Sequence, residues 1–363
     1  MKIERRFTKL IQVGKVPIGG YSPISIQTML STHTADIKST LAQIQRVHTA
    51  GCEIVRFSVT NEDDAKAIAT IKKASPLPLI ADIHFDHRLA LMSLENGIDC
   101  LRINPGNIGS DAKVMEVVAA ARERKIPIRI GVNSGSLPSD LIARYGVSEE
   151  AMVEAALRHI AILERLGYYE IKVSVKASDL NLMLQSYRLL SSRTPFALHL
   201  GVTEAGLEPA GTVKSSLGIG TLLSEGIGDT IRVSLTAEPE REVMVAREIL
   251  KSLGLRKGLN IIACPTCGRT RIDLISLAAK VQEALADLRD HDLTVAVMGC
   301  AVNGPGEARE ADFGIAGGKG EGLLFVKGKI VAKVPEADLV KELERLIRSG
   351  QNEATLPGSI GIP

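Results

Sequence analysis

A strand-like run followed by a helical pattern occurs eight times between about residues 25 and 253, and this repetition limits the folds open to the chain. The strand-like runs are SIQTML (25–30), EIVRFSV (53–59), LIADIHF (79–85), DCLRIN (99–104), PIRIGVN (127–133), EIKVSVKA (170–177), FALHLGV (196–202) and DTIRVSL (229–235). Eight strand–helix units in roughly 250 residues are the size and rhythm of a (β/α)8 TIM barrel. We therefore predict an α/β fold with a closed barrel. A doubly wound open sheet is the alternative, because periodicity alone does not show closure.

The pattern changes after residue 253. The segments that follow are a strand-like NIIAC (260–264), a helical stretch (271–291), a strand-like LTVAVMGC (293–300), a strand-like DFGIAGG (312–318), a hairpin-like GLLFVKGKIVAKV (322–334) and a second helical stretch (336–350). Strands and helices in this order predict a small α+β module of ordinary domain size. We therefore predict two domains, a barrel over residues 1–253 and an α+β domain over residues 254–363.

Composition argues against nucleic acid and membrane as partners. The net charge is +2, only 3% of the residues are aromatic, and there is no Trp. Such a chain offers neither a broad basic face nor aromatic platforms for bases. The N-terminal sequence lacks the apolar core of a signal peptide, and no apolar run reaches the roughly 20 residues of a membrane span. We expect a soluble cytoplasmic protein, in which thiols stay reduced and a structural disulfide is disfavoured.

Polar side chains recur two residues apart near the ends of the predicted strands. They are Arg56/Ser58, Asp82/His84, Arg102/Asn104, Lys172/Ser174, His199/Gly201 and Arg232/Ser234, with Arg129 and Asn133 in a further strand. Residues two apart on a strand share a face, whereas the alternate positions here are mostly Val, Ile, Leu or Phe. We expect the polar face to point into the mouth of the barrel, where barrel enzymes hold their sites.

The charge of this predicted mouth is mostly positive. Its cations are Arg56, Arg102, Arg129, Lys172, Lys176 and Arg232, and its few acids include Asp82 and Glu204. Buried cations repel one another unless an anion joins them, and Arg binds phosphate oxygens through two parallel hydrogen bonds. The segment after the seventh strand, TEAGLEPAGTVKSSLGIG (203–220), contributes Lys214 in what we predict to be a phosphate-binding loop. We expect a small phosphorylated substrate; the alternative is that local carboxylates neutralise each charge.

Three of the five cysteines lie in two short stretches near the end of the chain. Cys264 and Cys267 form a CxxC motif, and Cys300 follows the second strand-like segment of the α+β domain. Thiols from two loops suit zinc or an iron–sulfur cluster, and a redox dithiol is possible from CxxC alone. The acids after Cys300 are Glu307 and Glu310, and spacing does not choose between them, Asn303 and water as a fourth ligand.

At these motifs the chain resembles a known family. ACPTCGRT (263–270) and MGCAVNGPGEA (298–308) are similar to the cluster motifs of the 4-hydroxy-3-methylbut-2-enyl diphosphate synthases, iron–sulfur enzymes of the non-mevalonate isoprenoid (MEP) pathway. The barrel segments that resemble the same family are PISIQTM, RINPGN, RIGVNSGSL, HLGVTEAG and KSSLGIGTLLSEGIGDTIRVSL. The resemblance implies a 4Fe–4S cluster held by Cys264, Cys267, Cys300 and Glu307. It also implies a barrel similar to that of dihydropteroate synthase and a cluster domain similar to sulfite and nitrite reductase modules.

The implied reaction is the reductive ring opening and dehydroxylation of 2-C-methyl-D-erythritol 2,4-cyclodiphosphate, with electrons from ferredoxin or flavodoxin. We assign substrate binding to side chains of the barrel mouth. They are Arg56, His84, Arg102, Arg129, Asn133, Lys172, His199, Lys214 and Arg232. Catalytic roles go to Glu204, for proton transfer, and to Glu307.

A homodimer with sites shared between chains is also expected. The connector after the eighth helix is short, and that helix ends at the barrel rim opposite the mouth, so a cluster domain tethered there reaches the mouth of a second chain more easily than its own. The resemblance implies the same arrangement. The competing functions are a phosphate-binding barrel hydrolase or aldolase with a structural zinc module, and a zinc-stabilised binding protein without catalysis.

Overall fold

The structure is a computed structural model that describes residues 3–104, 108, 110–300, 306 and 309–353. The chain divides into two compact units, Met1–Leu255 and Arg256–Pro363. Within the described ranges, every helix is too short or too polar to cross a lipid bilayer.

A closed barrel of eight parallel strands forms the first unit. Its strands are β3 (Ser25–Met29), β4 (Ile54–Ser58), β5 (Leu79–Asp82), β6 (Cys100–Ile103), β7 (Ile128–Asn133), β8 (Ile171–Lys176), β9 (Ala197–Leu200) and β10 (Thr230–Ile231). The last strand closes onto the first through the parallel partners Thr230 and Ser25. The predicted barrel is therefore confirmed, and the open sheet is excluded.

The strands are shorter than their apolar runs. β5 ends at Asp82 although the run continues to residue 85, and β10 has only two residues of a seven-residue run. The chain leaves the ladder where polar side chains turn into the mouth, so that His84 and Arg232 lie just beyond their strands.

Helices surround the barrel. They are α1 (Ile37–Ala50), α2 (Glu62–Ala74), α3 (His87–Glu95), α4 (Asp111–Arg124), α5 (Ser139–Tyr145), α6 (Glu149–Arg165), α7 (Leu180–Arg193), α8 (Ala210–Ser224) and α9 (Pro239–Ser252). Side-chain caps fix several helix starts: Asp36 accepts from the Ser39 amide and Asn61 from the Asp64 amide. The left-handed Gly51 ends α1 at φ 100°, a conformation that favours glycine.

One prediction for this unit is wrong. We expected a phosphate-binding loop after the seventh strand, but most of it is helix, because α8 begins at Ala210 and contains Lys214. Glycines are frequent in this segment, but the buried side chains Ile219, Leu222 and Leu223 supply enough apolar surface to hold a helix against the barrel.

A short antiparallel hairpin precedes the barrel, and the sequence reasoning missed it. Its strands are β1 (Ile11–Val13) and β2 (Val16–Ile18). Their buried side chains Ile11, Val13 and Ile18 pack against residues at the starts of the barrel strands, namely Ile54, Ile80, Cys100 and Ala197. Strands of three residues are too short to show a period. The hairpin closes the end of the barrel opposite the mouth.

The second unit is a five-stranded mixed sheet with helices. Its elements are β11 (Leu259–Ala263), α10 (Leu274–Ala284), β12 (Leu293–Met298), β13 (Phe313–Gly317), β14 (Glu321–Val326), β15 (Lys329–Pro335) and α11 (Leu339–Glu353). The first three strands are parallel and the last three antiparallel, in the order of the sequence. Both helices bury apolar faces on the sheet, as Leu277, Val281 and Leu343 do against Val295 and Ile315. The structure thus confirms a TIM barrel followed by a small α+β domain.

Candidate active site and thiol site

The inner face of the barrel changes from apolar to charged within two residues. Near the hairpin the inward side chains are Ile54, Ile80, Cys100 and Ala197. Two residues further along the same strands, and therefore on the same face, are Arg56, Asp82, Arg102 and His199. All four are at least nine-tenths buried. We call Arg56, Asp82, Arg102 and His199, with the other cations of the mouth, the charged layer. It begins at the first inward-facing position beyond the apolar residues next to the hairpin.

Asp82 is the centre of one group of contacts in this layer. Its carboxylate lies 3.5 Å from Nε of Arg56 and accepts a hydrogen bond of 3.0 Å from Nη1 of Arg102. His84 Nε2 is 3.5 Å from the same carboxylate. Burial raises the pKa of Asp82, but Arg56 and then Arg102 outweigh it and hold the pKa below its usual value. One carboxylate therefore positions two arginines at the mouth.

Glu242 is a second buried carboxylate that positions an arginine at the mouth, in this case Arg232. It projects inward from α9, is 3% exposed, and accepts hydrogen bonds from Nε and Nη2 of Arg232 at 3.2 and 3.0 Å. The Thr28 hydroxyl at 2.7 Å and the Leu235 amide at 3.0 Å complete its partners. Sequence reasoning missed Glu242. The sequence feature that could have identified it is an acidic residue on the apolar face of a predicted helix, one turn before the buried Ala246.

The remaining cations are buried with fewer partners. Arg129 donates through Nε and Nη2 to the Ser174 hydroxyl at 3.3 and 2.8 Å, while its Nη1 has no partner among the described residues. Within the same part of the chain, Arg102 Nε also lacks a partner, whereas the Lys172 ammonium interacts with the buried Cys100 thiol. Buried donors of this kind are rare in folded proteins, since each carries a desolvation cost. Arg102 Nε and Arg129 Nη1 are thus left available for an anion.

Burial and mutual repulsion shift the titration of these cations. Burial lowers the pKa of Arg56 to about 10 and that of Lys172 to about 8. The pKa of Arg129 falls well below its usual value, first by burial and then by repulsion from Arg56 and Arg102. Lys176, which we counted among the cations but did not assign to substrate, is shifted in the same direction by burial and by Arg129. The cations of the mouth therefore repel one another, and a bound anion would relieve this repulsion.

The other predicted residues lie at the rim or on the surrounding helices. Asn133 is half-buried at the end of β7, and Lys214 is half-buried on α8. Glu204 is exposed in the loop after β9 and has a left-handed φ of 53°, which is uncommon for a residue with a side chain. Among the described residues, neither Glu204 nor Lys214 has a hydrogen bond or ion pair that connects it to the charged layer. The contacts join Arg56, Arg102 and His84 through Asp82, whereas Arg232 is held separately by Glu242.

Two of the three clustered cysteines emerge at one edge of the second unit's sheet. Cys264 directly follows β11 and Cys300 comes two residues after β12, and these strands are parallel neighbours. The Gly299 amide donates to Cys264 Sγ at 3.2 Å, and the Cys264 amide donates to the Val297 carbonyl at 3.3 Å. The two loops that carry the thiols are therefore tied together by the backbone.

Cys267 completes the CxxC motif from an exposed position. Its amide donates to the Thr270 hydroxyl at 3.2 Å, and hydrogen bonding by Arg269 lowers the pKa of its thiol. Glu307, the acid that the resemblance assigns to iron, lies outside the described residues, while Glu310 is exposed in a turn. In the part of the chain that the structure describes, no three His, Cys, Asp or Glu side chains converge on a single-ion site. The three thiols are nevertheless a soft donor set from two adjoining loops.

Comparison with known proteins shows close relatives over almost the whole chain. The 4-hydroxy-3-methylbut-2-en-1-yl diphosphate synthase (flavodoxin) of Geobacter sulfurreducens is 58% identical over 94% of this chain and 98% of its own. The protein of the same name from Brevibacillus brevis is 56% identical over 99% of each chain. Among solved structures, the dihydropteroate synthase of Yersinia pestis covers 68% of this chain at 12% identity with a TM-score of 0.46, too slight a likeness to carry an argument.

Two family models account for both units. One, described as the GcpE TIM-barrel domain, matches residues 8–247, and the other, the GcpE protein C-terminal domain, matches residues 260–349. The first match covers the barrel strands, and the second covers the sheet that carries the thiols. The resemblance seen in the sequence is thereby confirmed, and the chain belongs to the GcpE family.

Proposed function

We propose that this protein is an oxidoreductase of isoprenoid biosynthesis that converts 2-C-methyl-D-erythritol 2,4-cyclodiphosphate into 4-hydroxy-3-methylbut-2-enyl diphosphate. The relatives that carry this enzyme's name support it, and so does the barrel mouth. The observation that carries the proposal is that, among the described residues, the buried nitrogens Arg102 Nε and Arg129 Nη1 have no partner in a layer with few carboxylates. Such a layer favours a ligand with two anionic phosphates.

The diphosphate is proposed to lie in the mouth. Arg56 and Arg232 present guanidinium groups whose orientation is fixed by Asp82 and Glu242, so little side-chain entropy is lost when phosphate oxygens arrive. Arg102, Arg129, Lys172 and Lys214 add positive charge. Lys172 lies deepest, as the second residue of β8, and acts on the ligand mainly through its field.

The reaction adds two electrons and one proton to the substrate, breaks a C–O bond to the ring phosphate and releases one hydroxyl oxygen as water. We assign the proton to the carboxyl group of Glu204, which the left-handed backbone places at the rim beside the buried β9. His84, His199 and Asn133 orient the substrate through hydrogen bonds from the ends of β5, β9 and β7.

The thiols of the second unit fit a 4Fe–4S cluster. Cys264, Cys267 and Cys300 supply three thiolates, and Glu307 is the proposed fourth ligand. Hydrogen bonding by Arg269 lowers the pKa of the Cys267 thiol and so favours its thiolate form. When bound, a cluster of this type passes electrons one at a time and offers one iron as a Lewis acid. Three soft ligands and one acid suit it better than closed structural zinc.

Flavodoxin is the proposed electron donor, because the relatives' names specify it, and ferredoxin is the alternative donor. We place the enzyme in the cytoplasm, since all five cysteines are free thiols and reducing conditions preserve them. The proposed assembly is a homodimer with sites shared between chains.

Anaerobic turnover tests this function. The purified protein is expected to be brown, to contain iron, and to form the open-chain diphosphate from the cyclic one only when reduced flavodoxin is supplied. Omitting the reductant is the control, because a phosphate-binding hydrolase or aldolase would act without it. A colourless zinc protein that leaves the cyclic diphosphate intact with reductant present would contradict the proposal.

A further inference from the structure

Lys176 and His199 form a buried pair of titratable nitrogens inside the barrel. They lie on the neighbouring strands β8 and β9, and Nζ of Lys176 is 3.5 Å from Nε2 of His199. The two residues are 5% and 1% exposed. In the described part of the chain, His199 Nδ1 has no hydrogen-bond partner. Either nitrogen of the contact can hold a proton, but two full charges at this separation would repel strongly.

A glycine makes the position of Lys176 possible. A Cβ atom at Gly201 would lie 2.7 Å from Lys176 Nζ and 2.6 Å from the Arg232 carbonyl oxygen, both too close for real contacts. The missing side chain leaves space for the lysine nitrogen beside His199, in the part of the barrel that opens towards the mouth. The space at Gly201 therefore allows Lys176 Nζ to lie next to His199.

Fixed positive charge surrounds the pair on several elements. The charged and titratable groups that face it are Arg56 on β4, Arg129 on β7, Lys172 on β8, Arg232 after β10, Tyr187 on α7 and Glu242 on α9. Burial comes first and repulsion from Arg129 second in lowering the pKa of both Lys176 and His199 well below their usual values. The acid among these groups, Glu242, already accepts hydrogen bonds from Arg232, so its charge is largely balanced by that arginine. Burial and the surrounding cations therefore both disfavour a proton on the pair in the absence of a ligand.

We propose that the Lys176–His199 pair takes up a proton from solvent when an anionic diphosphate enters the barrel mouth, so that ligand binding and proton uptake are coupled. This rests on the proposed function, whose ligand brings two phosphates into a layer that holds few carboxylates. Each phosphorus of a cyclic diphosphate ester carries a single strongly acidic hydroxyl, so the ligand does not itself titrate near neutral pH. The proton that is gained goes to Nζ of Lys176 or to the imidazole of His199, and nothing is oxidised or reduced.

The sign of the pH dependence follows from this uptake. The bound state holds the proton up to a higher pH than the free state does, because anionic oxygens favour the charged form. Between those two pKa values the affinity for the diphosphate falls as pH rises, by up to about tenfold per pH unit for one proton. Below that interval both states are protonated and the affinity is level.

Isothermal titration calorimetry of the oxidised holoenzyme without reductant measures the uptake directly. The cyclic diphosphate is titrated at one near-neutral pH in PIPES, HEPES and Tris, which differ in ionisation enthalpy. The observed binding enthalpy is plotted against the ionisation enthalpy of the buffer, and the slope gives the number of protons taken up per ligand. The expected value is between about one half and one. A slope of zero for the wild-type protein would overturn the proposal.

Three variants assign the proton. Lys176→Met and His199→Gln, checked for folding by circular dichroism, each remove one of the two possible acceptors, and the variant that lacks the group which takes the proton is expected to bring the slope close to zero. Lys113→Met, at an exposed lysine on α4, keeps the slope. An unchanged slope in both pair variants would place the proton elsewhere and refute the assignment.

The two proposals fail in different ways. Binding of the cyclic diphosphate without proton uptake rejects only the coupling. If that ligand does not bind, the proposed function fails, and sulfate, a non-titrating anion, then decides the coupling. Proton uptake from a weakly buffered solution on adding sulfate, lost in Lys176→Met or in His199→Gln, supports it, and no uptake rejects it.

Discussion

Arg232 is held at the barrel mouth by Glu242, whose two carboxylate oxygens accept hydrogen bonds from Nε and Nη2 of the guanidinium at 3.2 and 3.0 Å. The acid comes from an outer helix and reaches inward between strands, while the arginine lies just past the last strand. Glu242 is therefore a positioning residue, since it fixes a group proposed to bind phosphate.

Glu242→Gln is expected to lower both stability and affinity for the cyclic diphosphate. The amide cannot accept two charge-assisted bonds, and a buried charged hydrogen bond contributes about 1.5–3 kcal/mol. Urea unfolding and calorimetric titration measure the two effects. Glu248→Gln, an exposed residue of the same helix, is the matched control and should change little. Wild-type affinity in Glu242→Gln would show that the orientation of Arg232 does not matter for binding.

Arg56→Ala is expected to weaken binding of the cyclic diphosphate by about tenfold to hundredfold, because it removes a charged hydrogen bond from a desolvated phosphate site. Iron content should stay normal, since the residue is in the barrel. Arg46→Ala removes an exposed guanidinium on α1 and serves as the control. Unchanged affinity in Arg56→Ala and in the equivalent Arg232→Ala would make both arginines structural.

Cys300→Ser is expected to lose activity and most of the iron, because a serine hydroxyl is a poor substitute for thiolate at iron. Iron analysis and the visible spectrum of anaerobic protein provide the measurement. Cys52→Ala, at a buried thiol of the barrel, should retain iron.

The fourth ligand is tested separately. Glu307→Ala is expected to keep some iron through the three thiolates but to lose most turnover. If Glu310→Ala behaves in this way and Glu307→Ala does not, the wrong acid has been assigned.

Lys172→Met is expected to flatten the pH dependence of stability above about pH 8. The folded-state pKa of Lys172 is lowered by burial from 10.5 to about 8, so between these values the unfolded chain binds a proton that the folded chain does not. This lysine therefore makes the free energy of unfolding rise with pH in that window, by up to about 1.4 kcal/mol per pH unit. Denaturant unfolding at several pH values compares the variant with Lys113→Met, which should follow wild type. An identical slope in Lys172→Met would show that the buried amine stays charged.

Co-assembly tests the proposed dimer. Arg56→Ala and Cys267→Ser chains are each expected to be nearly inactive alone when the substrate concentration is too low to fill the weakened Arg56→Ala site. When mixed, they are expected to recover up to about a quarter of wild-type activity, because half the dimers are mixed and each has one intact site. Distinct affinity tags isolate the mixed dimers. Isolated mixed dimers without activity would rule out sites shared between chains.

The sequence by itself determined the barrel, because its evidence is local. Alternation along strands and the period of helices are both set by the backbone, so eight βα units and the inward face that carries Arg56, Arg102 and Arg129 could be predicted from spacing. The CxxC motif and Cys300 likewise indicated a soft metal site from residue type alone.

Only the tertiary structure decided how the charges are partnered. Asp82 joins Arg56 to Arg102, and Glu242 meets Arg232 and Thr28, through contacts between residues distant in sequence or on different elements. Which cations keep free N–H groups depends on these three-dimensional contacts, because burial and hydrogen bonding are properties of packing rather than of spacing. The hairpin that closes the barrel could not be predicted for the same reason. Its three-residue strands show no period of their own, and only their packing on Ile54 and Ile80 identifies them.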